Sequence, residues 1–216
     1  MNNSNGFARI YWDENYQKLS EMDGIFNAKA HARYLKASFD LEYVEVNSII
    51  DFGAGFGHLL KAFIQIFKPY KAVALEPSEF AFQKLQKKKL KIGDMQLTLL
   101  QDSMYEWLIK QKGPAIFDLG VCTSVMQYIE TEELKKIVPL LAKRVRYLYL
   151  TVPIDLELAK QKEEYEFADR FALHRSHEFY HETLGKHFTF IGNRILESKE
   201  FYNHKNTAYT ELLFRF

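Results

Sequence analysis

Apolar residues along this chain recur with two alternating periods. Short apolar runs at 46–52, 71–75, 95–100, 115–122 and 145–152 read as strands buried on both faces. The segments between them carry a helical spacing instead. Leu59, Leu60, Phe63, Ile64 and Phe67 recur at intervals of three and four, which predicts a helix over 58–67 with one buried stripe. Lys68-Pro69-Tyr70 ends it, because proline cannot continue the hydrogen-bond ladder. Ser78 is placed to cap a helix running to Lys88, Thr131 one over 132–142, and Ser176 one over 177–184. Alternation of strand and helix predicts a parallel sheet covered by helices. Two further runs, 188–196 and 208–216, are joined by a polar loop at 198–207 and predict a closing hairpin.

The chain ahead of residue 46 reads differently. Residues 1–45 form a helical preamble or lid, and 46–216 form the main domain. Ala28, Ala30, His31, Tyr34 and Leu35 offer one apolar side of a helix. Tyr11 and Trp12 are either lid residues or aromatic pins that fix the preamble to the core. Hydrophobic residues make up 47% of the chain, enough for a substantial core, and the formal net charge of +1 gives no global electrostatic case for a nucleic-acid partner. The lone Cys122 excludes an intrachain disulfide and a cysteine metal cluster. No apolar run reaches the roughly 20 residues of a membrane helix. The polar N-terminus lacks the regions of a signal peptide, so a cytoplasmic location is expected.

The chemistry is concentrated in Asp51-Phe52-Gly53-Ala54-Gly55-Phe56-Gly57, between the first strand and the first core helix. Glycine lets a backbone turn tightly and lets a ligand approach it closely. A dinucleotide fingerprint, G-x-G-x-x-G, would need glycine where His58 stands, and Asp51 would repel a pyrophosphate while suiting a cationic ligand. That speaks against a nicotinamide-dependent dehydrogenase. Glu76 ends the second strand, at the register where an acid past a nucleotide loop meets ribose hydroxyls. Asp102 or Ser103 is also placed as the N-cap of a helix from Met104 to Lys110.

The pattern Asp-x-Gly-x-Gly-x-Gly resembles motif I of the class I S-adenosylmethionine (SAM) methyltransferases. The resemblance runs from 46 to 216, with motif-grade matches at Asp51 to Gly57, at Glu76, and more weakly at Asp102 and Phe117-Asp118. It implies an α/β three-layer sandwich around a seven-stranded, mostly parallel sheet whose last strand is antiparallel. It implies SAM as cofactor and S-adenosylhomocysteine (SAH) as product. Cofactor contacts are implied for Asp51, Gly53, Ala54, Gly55 and Gly57, for Glu76 and Pro77, for Asp102, Ser103 and Met104, and for Thr123. Asp102 would take the adenine amino group, and Met104 packs either on the adenine or in the core.

After the fourth strand stands Cys122-Thr123-Ser124-Val125, where exocyclic-amine methyltransferases of nucleic acid carry an Asn/Asp-Pro-Pro-aromatic loop. The resemblance therefore points to the branch acting on small molecules, the acceptor atom being oxygen, nitrogen or carbon. A methyltransferase of RNA or protein, and a non-catalytic partner subunit, stay open as alternatives. His174 and His177 are candidates for removing a proton from the acceptor, since neutral imidazole is available near pH 7. His174, His177 and His181 share a spacing that would also suit a metal, but Ser176 as cap puts His174 outside the helix, and no metal site is assigned. Lys84, Lys87, Lys88, Lys89 and Lys91 read as a solvated helix end, because no aromatic residues interleave them as in single-strand binders. Oligomeric state is not legible.

Overall fold

Strand β1 (Ser48–Phe52) is buried along its whole length, Ser48 and Asp51 included. That is the signature of a central strand covered on both faces. A computed structural model describes residues 24–113, 115–165 and 169–209. The other strands are β2 (Lys71–Leu75), β3 (Gln96–Leu100), β4 (Phe117–Thr123), β5 (Val145–Thr151), β6 (Phe188–Gly192) and β7 (Ile195–Ser198). They form one seven-stranded sheet in the order β3-β2-β1-β4-β5-β7-β6. The helices are α1 (Ala28–Leu41), α2 (His58–Phe67), α3 (Glu79–Lys87), α4 (Met104–Lys110), α5 (Thr131–Ala142), α6 (Asp155–Tyr165) and α7 (His177–Gly185). This is the α/β architecture expected from the sequence. The strand order reverses beside β1, so the topological switch point of the fold falls at the carboxyl end of that strand.

The chain divides into two compact units. The first runs to Met104 and includes Phe117–Val121; the second holds Tyr105–Ile116 and everything from Cys122. In the first, β1 pairs in parallel with β2 and β2 with β3, so the carboxyl ends Phe52, Leu75 and Leu100 stand in one row. Helix α1 packs on α2 through Phe39 and Phe67, whose ring centroids are 6.2 Å apart, and Phe67 lies at the same distance from Phe63 within α2. Its buried face is Ala28, His31, Ala32, Leu35 and Phe39. Ala30 and Tyr34, expected inside, lie outside: the true stripe steps by three and four from Ala28, and those two fall beside it. Tyr11 and Trp12 lie outside the described residues. Asp118 accepts from Asn47 N–H (3.0 Å) and Ser48 Oγ (2.9 Å), while its own N–H donates to Ser48 Oγ (3.0 Å). The Phe117-Asp118 pair thus ties the beginnings of β1 and β4.

In the second unit the last strands depart from the sequence reading. The run 188–196 is not one strand. It turns at Asn193-Arg194, with Arg194 at φ 69, so β6 and β7 make the hairpin themselves. Gly192-Asn193 is a turn signal inside an otherwise apolar run. β7 then inserts antiparallel to β5, Tyr147 facing Glu197 and Tyr149 facing Ile195. Of the second predicted strand, 210–216 lie outside the described residues, and Ala208 and Tyr209 are not in a strand. Ser176 caps α7 through Phe179 N–H (3.3 Å) as predicted. The N-cap of α5 is Glu130, not Thr131, and makes no side-chain cap bond; the Thr131 hydroxyl accepts from Arg175 instead.

Candidate functional site

The glycine loop is fastened to the ends of two neighbouring strands. Gly53 and Ala54 N–H both donate to Leu75 C=O, at 2.9 and 2.8 Å, and Glu76 N–H donates to Leu100 C=O at 3.1 Å. Gly53, Gly55 and Gly57 have φ of 74, 53 and 70°, the left-handed region that glycine enters freely. At Gly57 there is a second reason for glycine. A Cβ there would stand 2.5 Å from Leu85 Cδ1 and 3.4 Å from Lys88 Cδ. Gly57 is also the N-cap of α2 and has no side chain to cap it.

Glu76 closes the loop from the other side. Its Oε2 accepts from Gly55 N–H (2.8 Å) and its Oε1 from Ser78 N–H (2.9 Å). Each oxygen keeps a lone pair for a ligand donor. Glu76 and Asp51 are each 3% exposed. Burial, followed by the charge of Glu76, pushes the Asp51 carboxyl up to about 8. Burial pushes Glu76 up to about 7 against the two backbone bonds that favour its ionised form. Two acids are thus held together out of water, where burial makes their charged forms costly. A positively charged group near Asp51, or hydroxyl donors at Glu76, would offset that cost.

Pro77 follows Glu76 and is half-buried, and Ser78 Oγ accepts from Ala81 N–H (3.4 Å) at the start of α3. At the end of β3, Asp102 Oδ1 accepts from Ser103 N–H (3.0 Å), and both residues are partly exposed. Met104, for which two roles stood open, is 3% exposed. The first unit therefore brings together Asp51, the glycine loop, Glu76 and Pro77 at one end of the sheet, with Asp102, Ser103 and Met104 after the neighbouring strand.

Thr123, His174 and His177 belong to the second unit. Thr123 is the last residue of β4. Ser124 follows with φ 54, held there by donation of its N–H to Thr151 C=O (2.8 Å). The 3₁₀ turn Met126–Tyr128 comes next and is clamped by a residue that no motif singles out. The buried guanidinium of Arg175 donates to Met126 C=O (3.1 Å), Ile129 C=O (2.5 Å) and Thr131 Oγ1 (3.1 Å), and lies 5.1 Å from the ring of Phe179. Leu173 N–H donates to Gln127 C=O (2.8 Å), and Asp155 N–H to Arg175 C=O (2.9 Å). Gln127 is 2% exposed, and its Oε1 has no partner among the described residues. His174, between Leu173 and Arg175, is exposed, as is His177. His177 Nδ1 lies 3.8 Å from Glu178, and its ring is 5.1 Å from that of His181, which stacks on Phe190 at 4.3 Å.

No protein-family profile and no curated protein matches the chain. Solved structures do. A magnesium protoporphyrin IX methyltransferase from Synechocystis PCC 6803 with bound SAH superposes at TM-score 0.59 and 19% identity, covering 88% of this chain and 96% of that one. A plantazolicin methyltransferase, in complex with a desmethyl-plantazolicin analogue and SAH, gives TM-score 0.64 at 12% identity over 85% and 69%. A putative methyltransferase in complex with the Haloferax volcanii Trm112 activator gives 0.55 at 18% over 81% and 74%. With its strand order and its acid-flanked glycine turn, the chain has the fold of the class I SAM-dependent methyltransferases.

Proposed function

We propose that the protein is a SAM-dependent methyltransferase acting on a small molecule. The observation that carries this is the buried pair Asp51 and Glu76 around Gly55. A nucleotide with a diol and a cationic amino-acid end fits that pair: Glu76 accepts from the ribose hydroxyls, and Asp51 faces the positive end. Gly53, Ala54, Gly55 and Gly57 form the turn it lies against, and Asp102, Ser103 and Met104 stand at the adenine side. When bound, SAM supplies an electrophilic methyl on a sulfonium that is already a good leaving group. What remains for the chain is alignment and exclusion of water. Thr123, and His174 or His177 as the group that takes the acceptor's proton, keep the roles the resemblance gives them.

The small-molecule acceptor rests on what stands after β4: Thr123-Ser124-Val125 carries no Pro-Pro-aromatic device for exocyclic amines. The test is transfer of a labelled methyl from SAM in a cell extract fractionated by mass. The expected result is label in the low-mass fraction, lost with Asp51→Asn. Label confined to RNA or protein would overturn the acceptor class, and label unaffected by Asp51→Asn would overturn the site.

A further inference from the structure

The lysines that read as a solvated helix end are part of something larger. Between Phe80 and Gly93 the chain carries Lys84, Lys87, Lys88, Lys89 and Lys91 and no acid. Lys84, Lys87, Lys89 and Lys91 are exposed; Lys88 is half-buried, its stem laid against Gly57 at the start of α2. Lys61 and His58, from the first turn of α2, are also half-buried, and Lys61 stands close enough to Lys88 to oppose its charge. Burial and then Lys61 push the Lys88 ammonium down to about 8, and burial, Lys88 and Lys61 together lower His58. The first turn of α2 carries no acid. Among the described residues none of these seven basic groups makes an ion pair, whereas Lys36 and Lys135 pair with Asp40 and Glu132. One aromatic ring stands at the edge of the group: Lys84 Nζ lies 5.5 Å from the ring of Phe80, against which Phe56 of the glycine loop packs edge-on at 6.2 Å.

Like charges gathered without counter-charges, some at the expense of desolvation, call for an anion from outside. We propose that this face, from the first turn of α2 to the turn after α3, binds the phosphate backbone of a single-stranded nucleic acid. A flexible phosphodiester chain can follow the lysines inward to half-buried Lys88 and Lys61, which a flat bilayer cannot reach. Apolar side chains that insert would strengthen a polybasic hold on a membrane, and here Ile92, 43% exposed, is the large apolar side chain between Lys84 and Asp94 that stands well out into solvent. Gln86, exposed among the lysines, adds a neutral donor and acceptor for sugar and base edges, while the Gln83 amide donates to Glu79 Oε1 (3.3 Å) one turn back. The surface lies within the first unit and does not depend on methyl transfer. It anchors the protein on a strand without making that strand the methyl acceptor.

The experiment is fluorescence anisotropy of the whole protein with a labelled 20-nucleotide mixed-sequence RNA, between about 50 and 300 mM salt. At roughly 0.7 per neutralised phosphate on a single strand, four or five contacts give a log–log salt slope of about −3. The triple reversal Lys87→Glu, Lys89→Glu, Lys91→Glu, all at exposed positions, is expected to weaken binding at least tenfold and flatten the slope by about 2. Its melting point and its response to SAH should stay those of the parent, which separates this surface from the cofactor site. Lys88→Gln is expected to weaken RNA binding on its own. The proposal is overturned by any of three results: no RNA binding at 50 mM salt; binding indifferent to the reversals; or capture by heparin or phosphatidylserine vesicles with none by RNA.

Discussion

Asp51 and Glu76 are unusual less for where they stand than for the state burial puts them in. Both hold protons in the folded protein at pH values where an unfolded chain, with carboxyl pKa near about 4, has released them. From about pH 4 to about 8 the folded state therefore binds more protons than the unfolded one, and the pair's contribution to stability is lost as pH rises through that window. Asp51→Asn, neutral throughout, is expected to gain on the parent as pH is raised from 5 to 8, read as urea midpoints. An unchanged difference across that range would deny the raised carboxyl. Glu76→Ala removes the acceptor of Gly55 and Ser78 N–H, and should cost about 1–3 kcal/mol of folding free energy as well as cofactor affinity. Gly57→Ala combines a left-handed φ with a clash on Leu85 and is expected to destabilise by about 2 kcal/mol or more. Gly113→Ala, where an added Cβ meets nothing, should stay within about 0.5 kcal/mol in the same titration.

Among the elements, the segment after β4 depends on a single side chain. Arg175 is the donor for two backbone carbonyls and for Thr131, and its own carbonyl receives the first amide of α6. Arg175→Met strands those carbonyls in a buried place, and a loss of about 1–3 kcal/mol for each is expected. Arg175→Lys should recover only part, because one ammonium cannot reproduce the planar fork. Hydrogen exchange would show residues 126–131 opening first, and uniform loosening of the whole chain would contradict the clamp. Nothing in the sequence announces this arrangement. Arg175 sits in Leu173-His174-Arg175-Ser176, where the imidazole draws the eye, and the two carbonyls and the Thr131 hydroxyl that its guanidinium binds are more than forty positions away. The glycine turn was legible for the opposite reason: left-handed backbone and close approach leave a local signature in residue type. So was Glu76, because the length of one strand–helix–strand unit fixes its register. The last hairpin was misplaced because the apolar run through 188–196 outweighed the Gly192-Asn193 signal inside it.

At the scale of the molecule, strand order, glycine turn and paired acids converge on one end of β1 and β2, where ligands bind in open α/β sheets. The fold was readable from the alternation of elements, and the glycine turn with its two flanking acids from residues whose chemistry is set locally. An acceptor was not, since the methyl transfer we propose asks for shape and alignment more than for a fixed set of reacting side chains. The most direct test of the account is thermal unfolding of the purified protein with SAH, SAM and NAD, repeated for Glu76→Ala. A ligand at 100 times its dissociation constant stabilises by about 2.7 kcal/mol, which for a chain of this size raises the melting point by about 5–10 °C. The account predicts that rise with SAH and SAM, none with NAD, and a much smaller one in the variant. A melting point that does not move with millimolar SAH or SAM would contradict it.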